Sequence, residues 1–367
     1  MDFGFTDEQG MLRDGVGKFL EKSYDFDTRQ KLVRSDEPWS RSAWEQFAEF
    51  GLLALPFAEE QGGLGGSISD CVAFAELFGK HLVVEPYVSA VMLAGGALAA
   101  DGGEMAQGWL EKLVAGEAML AFAYEEGHGT AAPNLVTMVA EPQGDGFALT
   151  GEKRLVLAGA EADALVVVAR RGKDGPVSMF LVEQDAGGMD ARSYTTIDGR
   201  SAANIRFDAV AAQELAGAGD ALGDILARAI IVQSAEAVGA MGALVAMTSE
   251  YAMTRKQFGV PIGTFQAVAH RLADMKIAYT KARATMIYTA ALSESGAATA
   301  RDIAILKGQV GKLGKAVGEA AIQTHGGVGM TDELSVSHYH KRLLAYDAPM
   351  GDHGYHFRVV GQGEGDR

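Results

Sequence analysis

The spacing of hydrophobic positions along this 367-residue chain changes twice. Near the start Leu12, Val16, Phe19 and Leu20 fall at helical spacing, one face of an amphipathic helix. Thr6, with Gln9 three residues on, reads as the N-cap of that helix. Helical segments continue to about residue 118. From Met119 short β-rich runs take over: Leu120–Tyr124, Leu135–Ala140, Phe147–Thr150, Ala164–Ala169, Val177–Val182 and Ala203–Phe207. Gly144-Asp145-Gly146 reads as a hairpin turn between two of them, and the stretch from Gly172 to Pro176 as another. After about Leu215 helical spacing returns, most clearly in Ile303, Leu306, Val310, Leu313 and Val317, the stripe of a bundle helix.

This order predicts an α+β architecture: an N-terminal helical domain over 1–118, a β-barrel or sandwich over 119–214, and a C-terminal four-helix-bundle domain over 215–367. Short strands gathered between two helical blocks exclude a parallel sheet wound from alternating βα units. Hydrophobic residues make up 48% of the chain, enough for a sizeable core.

Charge narrows the function classes. A net charge of −16 opposes any basic face able to track phosphates, so nucleic acid is not expected as a partner. The single cysteine, Cys71, leaves no internal disulfide and no thiolate metal cluster, and fits a reducing compartment. The first eight residues are acidic where a secretory signal is basic and then apolar. No uncharged apolar run is expected to span a membrane, and the chain reads as cytoplasmic.

Two clusters carry candidate chemistry. The first, Arg255-Lys256-Gln257-Phe258-Gly259-Val260-Pro261-Ile262-Gly263, ends one helix and leads into the next. An Arg and a Phe there can meet a nucleotide, guanidinium on phosphate and ring on adenosine, and they can equally be parts of a structural corner. The second, Gln323-Thr324-His325-Gly326-Gly327-Val328-Gly329, follows about 65 residues later. Paired glycines past a long helix form a C-cap, and they also let backbone N–H groups approach a pyrophosphate.

In this order and spacing the two clusters resemble the acyl-CoA dehydrogenase family. Gly51-Leu52-Leu53-Ala54-Leu55-Pro56 with Glu60-Gln61-Gly62-Gly63 is similar to the family's N-terminal helix–loop segment, and Gly239 falls where its central helix carries a close-packed glycine. The resemblance implies FAD at a subunit interface, the flavin ring against one subunit's β-domain and the adenosine and pyrophosphate gripped by its neighbour. Arg255, Gln257, Phe258, Gln323, Gly326 and Gly327 match the positions that hold the adenosine end.

The ring end departs from the family pattern. Tyr124 stands for the Thr that hydrogen-bonds the ring, Thr130 for the Ser of the same loop, and Leu155-Val156-Leu157 for the family's Trp-Ile-Thr. The usual catalytic Glu, 27 residues beyond Gln323, is Met350, and the variant position at the start of the central helix is Ala229, followed by Ile230. Asp224 and Asp352 are the carboxylates nearest these positions, Asp224 the weak favourite as a displaced base, although a helix-start Asp is also expected on helix-dipole grounds alone. His353 and His356 read as a polar face.

The resemblance therefore implies α,β-desaturation of an acyl-CoA by FAD, with electrons leaving to an electron-transferring flavoprotein. Loss confined to one half of a shared site points to a base-less subunit of a heteromer, most similar to the small subunits of heterotetrameric acyl-CoA dehydrogenases that act on dicarboxylic or steroid side-chain acyl-CoAs. A homo-oligomer with a displaced base, a non-catalytic acyl-CoA-binding or assembly protein of the same fold, and an offshoot that eliminates another group remain as alternatives.

Overall fold

The computed structural model describes residues 6–127 and 132–365. The N-terminal part is helical: α1 (Asp7–Ser23), α2 (Phe26–Val33), α3 (Arg41–Glu49), α4 (Ile68–Lys80), a π-helical segment (Val88–Gly95), α5 (Gly96–Asp101) and α6 (Glu104–Val114). Thr6 caps α1 as its sequence requires: its side chain accepts from the Gln9 N–H while the Gln9 side chain reaches back to the Thr6 N–H.

Seven strands follow: β1 (Leu120–Ala123), β2 (Val139–Gln143), β3 (Gly146–Leu157), β4 (Ala164–Arg171), β5 (Val177–Glu183), β6 (Met189–Thr195) and β7 (Ser201–Glu214). Pairings β4–β2, β2–β3, β3–β7, β7–β5 and β5–β4 close a ring, so the sheet is a barrel. β1 lies parallel to β4, along the edge that β2 joins further on, and β6 flanks β7. Alternating residues such as Leu149, Leu165, Val167, Phe180, Ile205 and Phe207 fill the interior.

Two strand readings need correction. Leu135–Ala140 is not one strand: Pro133–Leu135 forms a 3₁₀ turn and pairing begins at Val139. Pro133 fixes its own φ and offers no N–H, which favours the helical turn. β6 is absent from the expected set because nearly every residue on it is exposed, leaving no apolar alternation to read.

The helical C-terminal part comprises α7 (Leu222–Thr254), a two-stranded ribbon of β8 (Lys256–Gln257) and β9 (Val260–Pro261), then α8 (Gln266–Glu294), α9 (Ala300–His325), α10 (Ser335–Asp347) and α11 (His353–Gly365). In the α9 stripe, Ile303, Leu306, Val310 and Val317 are buried and Leu313 is partly buried. α7 lies within the one helical stretch, among the described residues, long and apolar enough to cross a membrane, but Asp224, Arg228, Glu236 and Glu250 interrupt it, so it holds no uncharged run of that length. Most of it is buried against α4, α8, α9, α10 and the π-helical segment, and a helix enclosed on all sides is apolar all round. Its contact with α4 is backbone on backbone. A Cβ on Gly239 would sit 1.8 Å from the Glu76 carbonyl oxygen, and one on Gly79 would sit 1.7 Å from that of Glu236.

Candidate functional site: a nucleotide corner and an apolar cavity

The two sequence clusters meet at one end of the bundle. α7 ends at Thr254 and α9 at His325, and the Tyr251 ring stacks on the His325 imidazole with centroids 4.3 Å apart. The buried His325 ring also sets Nδ1 2.9 Å from the Ala321 carbonyl oxygen, and His325 closes α9. Beyond the stack Arg255, Gln257, Phe258, Gln323, Gly326 and Gly327 are all exposed.

Phe258 and Gly259 form the two-residue turn of the β8–β9 ribbon, with φ of 53° and 83°. Positive φ at both central positions is the turn that suits a tight hairpin, where Asn-Gly is the ordinary choice. A phenyl ring in left-handed backbone is costly, and this one is 95% exposed. The ring meets Phe265 edge-on with centroids 6.2 Å apart and still leaves nearly all of its surface open, room for an aromatic ligand to lie on it. On the other side Gly326 takes φ 68° and ψ −146°, and a Cβ on Gly326 or Gly327 would meet nothing within 4 Å. Open backbone beside an exposed guanidinium and an exposed ring fits the adenosine and pyrophosphate of a dinucleotide.

The second feature is a cavity of about 450 Å³ between the barrel, the π-helical segment, α7 and the end of α10. Its walls are mostly apolar: Leu93, Phe122, Leu155, Leu157, Leu226 and Met350. The β3 strand delivers two of these through an irregularity. Pairing with β7 shifts between Lys153 and Val156, and Leu155 takes φ 51°. Val156 then points into the barrel core, while Leu155 and Leu157 reach the cavity.

Tyr124, just past β1, lines the same cavity. It is 4% exposed, and its hydroxyl oxygen has no hydrogen-bond partner. Burial raises the phenol pKa further above its ordinary value, with Glu125 adding to the effect, so the group stays neutral and able to donate. Thr130 lies outside the described residues.

The carboxylates sit differently from expectation. Asp224 is exposed in the first turn of α7 and is not among the cavity-lining residues. Asp352 is also exposed; its carboxylate accepts from the Tyr355 N–H and caps α11. Ala229 and Ile230 are packed in the core. His356 is buried, with Nε2 2.8 Å from the Met350 carbonyl oxygen, and His353 sets Nδ1 2.5 Å from Asp347 Oδ2, so these two do not make a solvated polar face.

Two carboxylates line the cavity, Asp198, which is ion-paired to arginines, and Glu125, which is not. Glu125 Oε1 accepts from the backbone N–H of Met350 at 2.7 Å, holding Met350 at φ 56°. Burial pushes its pKa up to about 7, against the opposing Met350 hydrogen bond and the charge of Lys307. Its neighbour Glu126 is instead an ion-pair partner, 2.7 Å from the buried Lys153 Nζ. The sequence carried a weak signal for Glu125, two adjacent acids after an apolar strand, but only the fold separates the one facing the cavity from the one bonded to lysine.

Behind the cavity lies a buried ionic joint. Asp198, on the turn between β6 and β7, is 2.6 Å from Arg342 Nε on α10 and 3.7 Å from Arg200 Nε. Arg200 also pairs with Glu236 on α7, and Arg29 on α2 donates to the Asp198 carbonyl oxygen. Burial alone would raise the Asp198 pKa, but Arg342 and Arg200 outweigh it and hold the carboxyl below its ordinary value.

Helical, barrel and helical parts around an apolar cavity, with an exposed corner of Arg255, Phe258 and paired glycines at the end of the bundle, have the architecture of an acyl-CoA dehydrogenase flavoprotein. Descriptions of that family match three consecutive stretches: Acyl-CoA dehydrogenase, N-terminal domain, over 6–117; middle domain, over 121–210; and C-terminal domain, over 216–364. The chain belongs to the acyl-CoA dehydrogenase family, FAD-dependent oxidoreductases of acyl-CoA thioesters. It is 28% identical to acyl-CoA dehydrogenase FadE27 of Mycobacterium tuberculosis, over 99% of this chain and 98% of the relative. Acyl-CoA dehydrogenase IpdE2 of the same organism is 30% identical over 92% of this chain and 91% of its own. Among solved structures, a chain of the ChsE4-ChsE5 complex from Mycobacterium tuberculosis superposes with a TM-score of 0.91 at 28% identity, covering 100% of both chains.

Proposed function

We propose that this chain is the base-less partner subunit of a heteromeric FAD-dependent acyl-CoA dehydrogenase. It lends Arg255, Gln257, Phe258, Gln323, Gly326 and Gly327 to the adenosine end of FAD, while the flavin ring and the proton-abstracting carboxylate belong to a second subunit of similar fold. The observation that carries this reading is the contrast between the two places. The corner presents an exposed strained Phe258 beside open glycine backbone. The cavity presents Leu155, Leu157 and Met350 where the family keeps ring contacts and base. The similarity to a chain of a two-protein complex supports it further.

When bound, FAD supplies the hydride acceptor for α,β-desaturation. This chain's own contribution is binding: a guanidinium for phosphate, a ring for adenine, and backbone N–H groups at the end of α9. A cytoplasmic heterotetramer passing electrons to an electron-transferring flavoprotein completes the proposal.

Co-expression with a second family member tests it. The pair should co-purify with FAD bound, and Arg255→Ala in this chain should lower flavin content at least tenfold. Stoichiometric FAD and brisk desaturation by this chain alone would refute the reading.

One observation favours a second reading, a self-contained enzyme with a displaced base: Glu125 lines the cavity, held by the Met350 amide, with its pKa raised to about 7. Under that reading Glu125→Gln abolishes turnover by the purified single chain and leaves its flavin absorbance intact. Under the heteromeric reading the substitution leaves turnover of the pair unchanged.

A further inference from the structure

α8 carries two apolar stripes. Met275, Ala282, Met286 and Ala290 are buried at helical spacing, where the helix packs on α4, α7 and α9. Ala273, Ile277, Thr280, Ala284 and Tyr288 form a second stripe of small and apolar residues, also at helical spacing, and all five are exposed. Met286 stands nine residues from Ile277, which is half a turn round the helix, so the two stripes lie on opposite sides. The outer stripe belongs to a larger surface. Among the described residues, six of the fourteen exposed large hydrophobic side chains fall within about a tenth of the chain: Met253, Phe258, Val260, Phe265, Ile277 and Tyr288. A concentration of that kind marks an interaction face. A groove of about 620 Å³ beside the stripe, with Tyr279, Ile287 and Tyr288 in its wall, leaves room for a partner's side chains.

Charge decides which partner fits. Between 255 and 281 stand Arg255, Lys256, Arg271, Lys276 and Lys281 against the single acid Asp274, in a chain whose net charge is −16. All five cations except the half-buried Arg271 are exposed, and among the described residues none of the five is ion-paired to an acid of its own chain. Arg283 stands apart, because it is bound to Glu76. A second copy laid face to face on α8 brings these cations against themselves, with Asp274 the one opposite charge on offer. A nucleic acid would pair with the cations but leave the apolar stripe uncovered, and the net charge repels it. An apolar helix face flanked by Asp or Glu satisfies both halves of the surface.

Building on the heteromeric reading, we propose that the outer face of α8 docks the second subunit through a helix whose apolar stripe is flanked by acidic residues, and that the α8 cations reject a second copy of this chain. Phe265 joins the Arg255–Phe258 corner directly to α8, so a subunit that brings its flavin ring to that corner also lies along this helix. Burial of the stripe supplies the bulk of the affinity, and the flanking charges supply the choice of partner.

The test uses the full chain co-purified with its partner, with dissociation followed by analytical ultracentrifugation. Lys276→Glu together with Lys281→Glu reverses two exposed charges and leaves the corner and the buried stripe intact. The pair should weaken at least about tenfold in low salt, and the loss should shrink in high salt, where the charges are screened. Ile277→Lys should weaken the pair at every salt concentration. Each variant chain alone should melt with the wild type, because the side chains are exposed. Should the double reversal fail that check, Lys276→Gln with Lys281→Gln should give a smaller loss with the same salt dependence. A pair unmoved by charge reversal, or weakened equally in low and high salt, overturns the proposal and leaves the heteromeric reading standing. A wild-type chain that dimerises by itself and comes apart in Ile277→Lys assigns the face to a second copy and also overturns it, as does duplex DNA bound by the wild type and lost on charge reversal. Failure of the heteromeric reading looks different: stoichiometric FAD and turnover by the single chain with no second subunit bound.

Discussion

Glu125 and Lys307 show how burial decides the behaviour of single residues here. Burial raises Glu125 to about 7 and lowers Lys307 to about 7 from the ordinary lysine value. Lys307 is fully buried, its Nζ bonded to the Tyr346 carbonyl oxygen and set 3.8 Å from the Tyr346 ring. For an acid with a raised folded pKa, the native state holds the proton more tightly than the unfolded chain. Its contribution is full below the unfolded value and is lost as pH rises through about 7. Above that pH the ionised carboxylate is a fixed cost, on the order of 2 to 3 kcal/mol. Glu125→Gln keeps an acceptor for the Met350 N–H without the charge. It should therefore raise the melting temperature relative to wild type at pH 8 by several degrees and leave it nearly unchanged at pH 5, as calorimetry at the two pH values would show. The sequence shows only the pair of acids, because the two are indistinguishable until the barrel turns Glu126 toward Lys153 and Glu125 toward the cavity. The meeting of the two helix-end motifs was easier to read, since Arg255, Phe258 and the Gly326-Gly327 pair sit in contiguous stretches where spacing alone sets neighbourhood, and their part in holding adenosine is the proposal made above.

At the scale of elements, helices were legible wherever one face is buried. The Thr6 capping box and the α9 stripe follow from periodicity, and both are present. Exposed β6 was not legible, nor was the 3₁₀ turn at Pro133, because neither presents an alternating apolar face. α7 carries little periodicity for the opposite reason, being enclosed nearly all round. What positions it is the glycine contact with α4, where the Gly239 and Gly79 backbones lie against the Glu76 and Glu236 carbonyls. A methyl at Gly239 must overlap backbone, and no rotamer change relieves it. Gly239→Ala should cost about 3 kcal/mol, the upper end of what overpacking costs, and should lower the denaturant midpoint with little change in m-value. An exposed control, Gly223→Ala in the first turn of the same helix, meets nothing within 4 Å and should be neutral or slightly stabilising.

At the scale of the whole molecule, the three parts are joined by charge as well as by the core. Asp198 comes from the barrel, Arg29 from the N-terminal helices, and Arg342 and Glu236 from the C-terminal helices, and all four are buried. With Arg200 the joint holds three guanidiniums and two carboxylates, so removing one carboxylate leaves three cations against Glu236 alone. Breaking a buried pair by deleting one partner costs about 3 to 5 kcal/mol, more than a surface pair of the same geometry would. Asp198→Asn should therefore destabilise the chain by that order and separate the barrel from α10, seen as faster amide exchange along 335–347. The pH dependence has the sign opposite to that of Glu125. The Asp198 carboxyl is depressed, so its contribution is present above the ordinary aspartate value, near 4, and is lost as pH falls through the lower folded value. Wild type should lose this part of its stability on acidification below about pH 4, whereas Asp198→Asn, already without the charge, should show a flatter acid limb in denaturant titrations at matched ionic strength. A mutant with the same acid limb as wild type would place the acid-sensitive carboxylate elsewhere. Because the joint lies directly behind the cavity, with Asp198 and Arg200 in its wall, the same substitution should also loosen the cavity, while the FAD binding proposed for Arg255 and Phe258 should be unchanged in the pair. Separating these two effects in one variant distinguishes a cavity set by the meeting of three parts from a corner, the proposed adenosine grip, built by the ends of α7 and α9 alone.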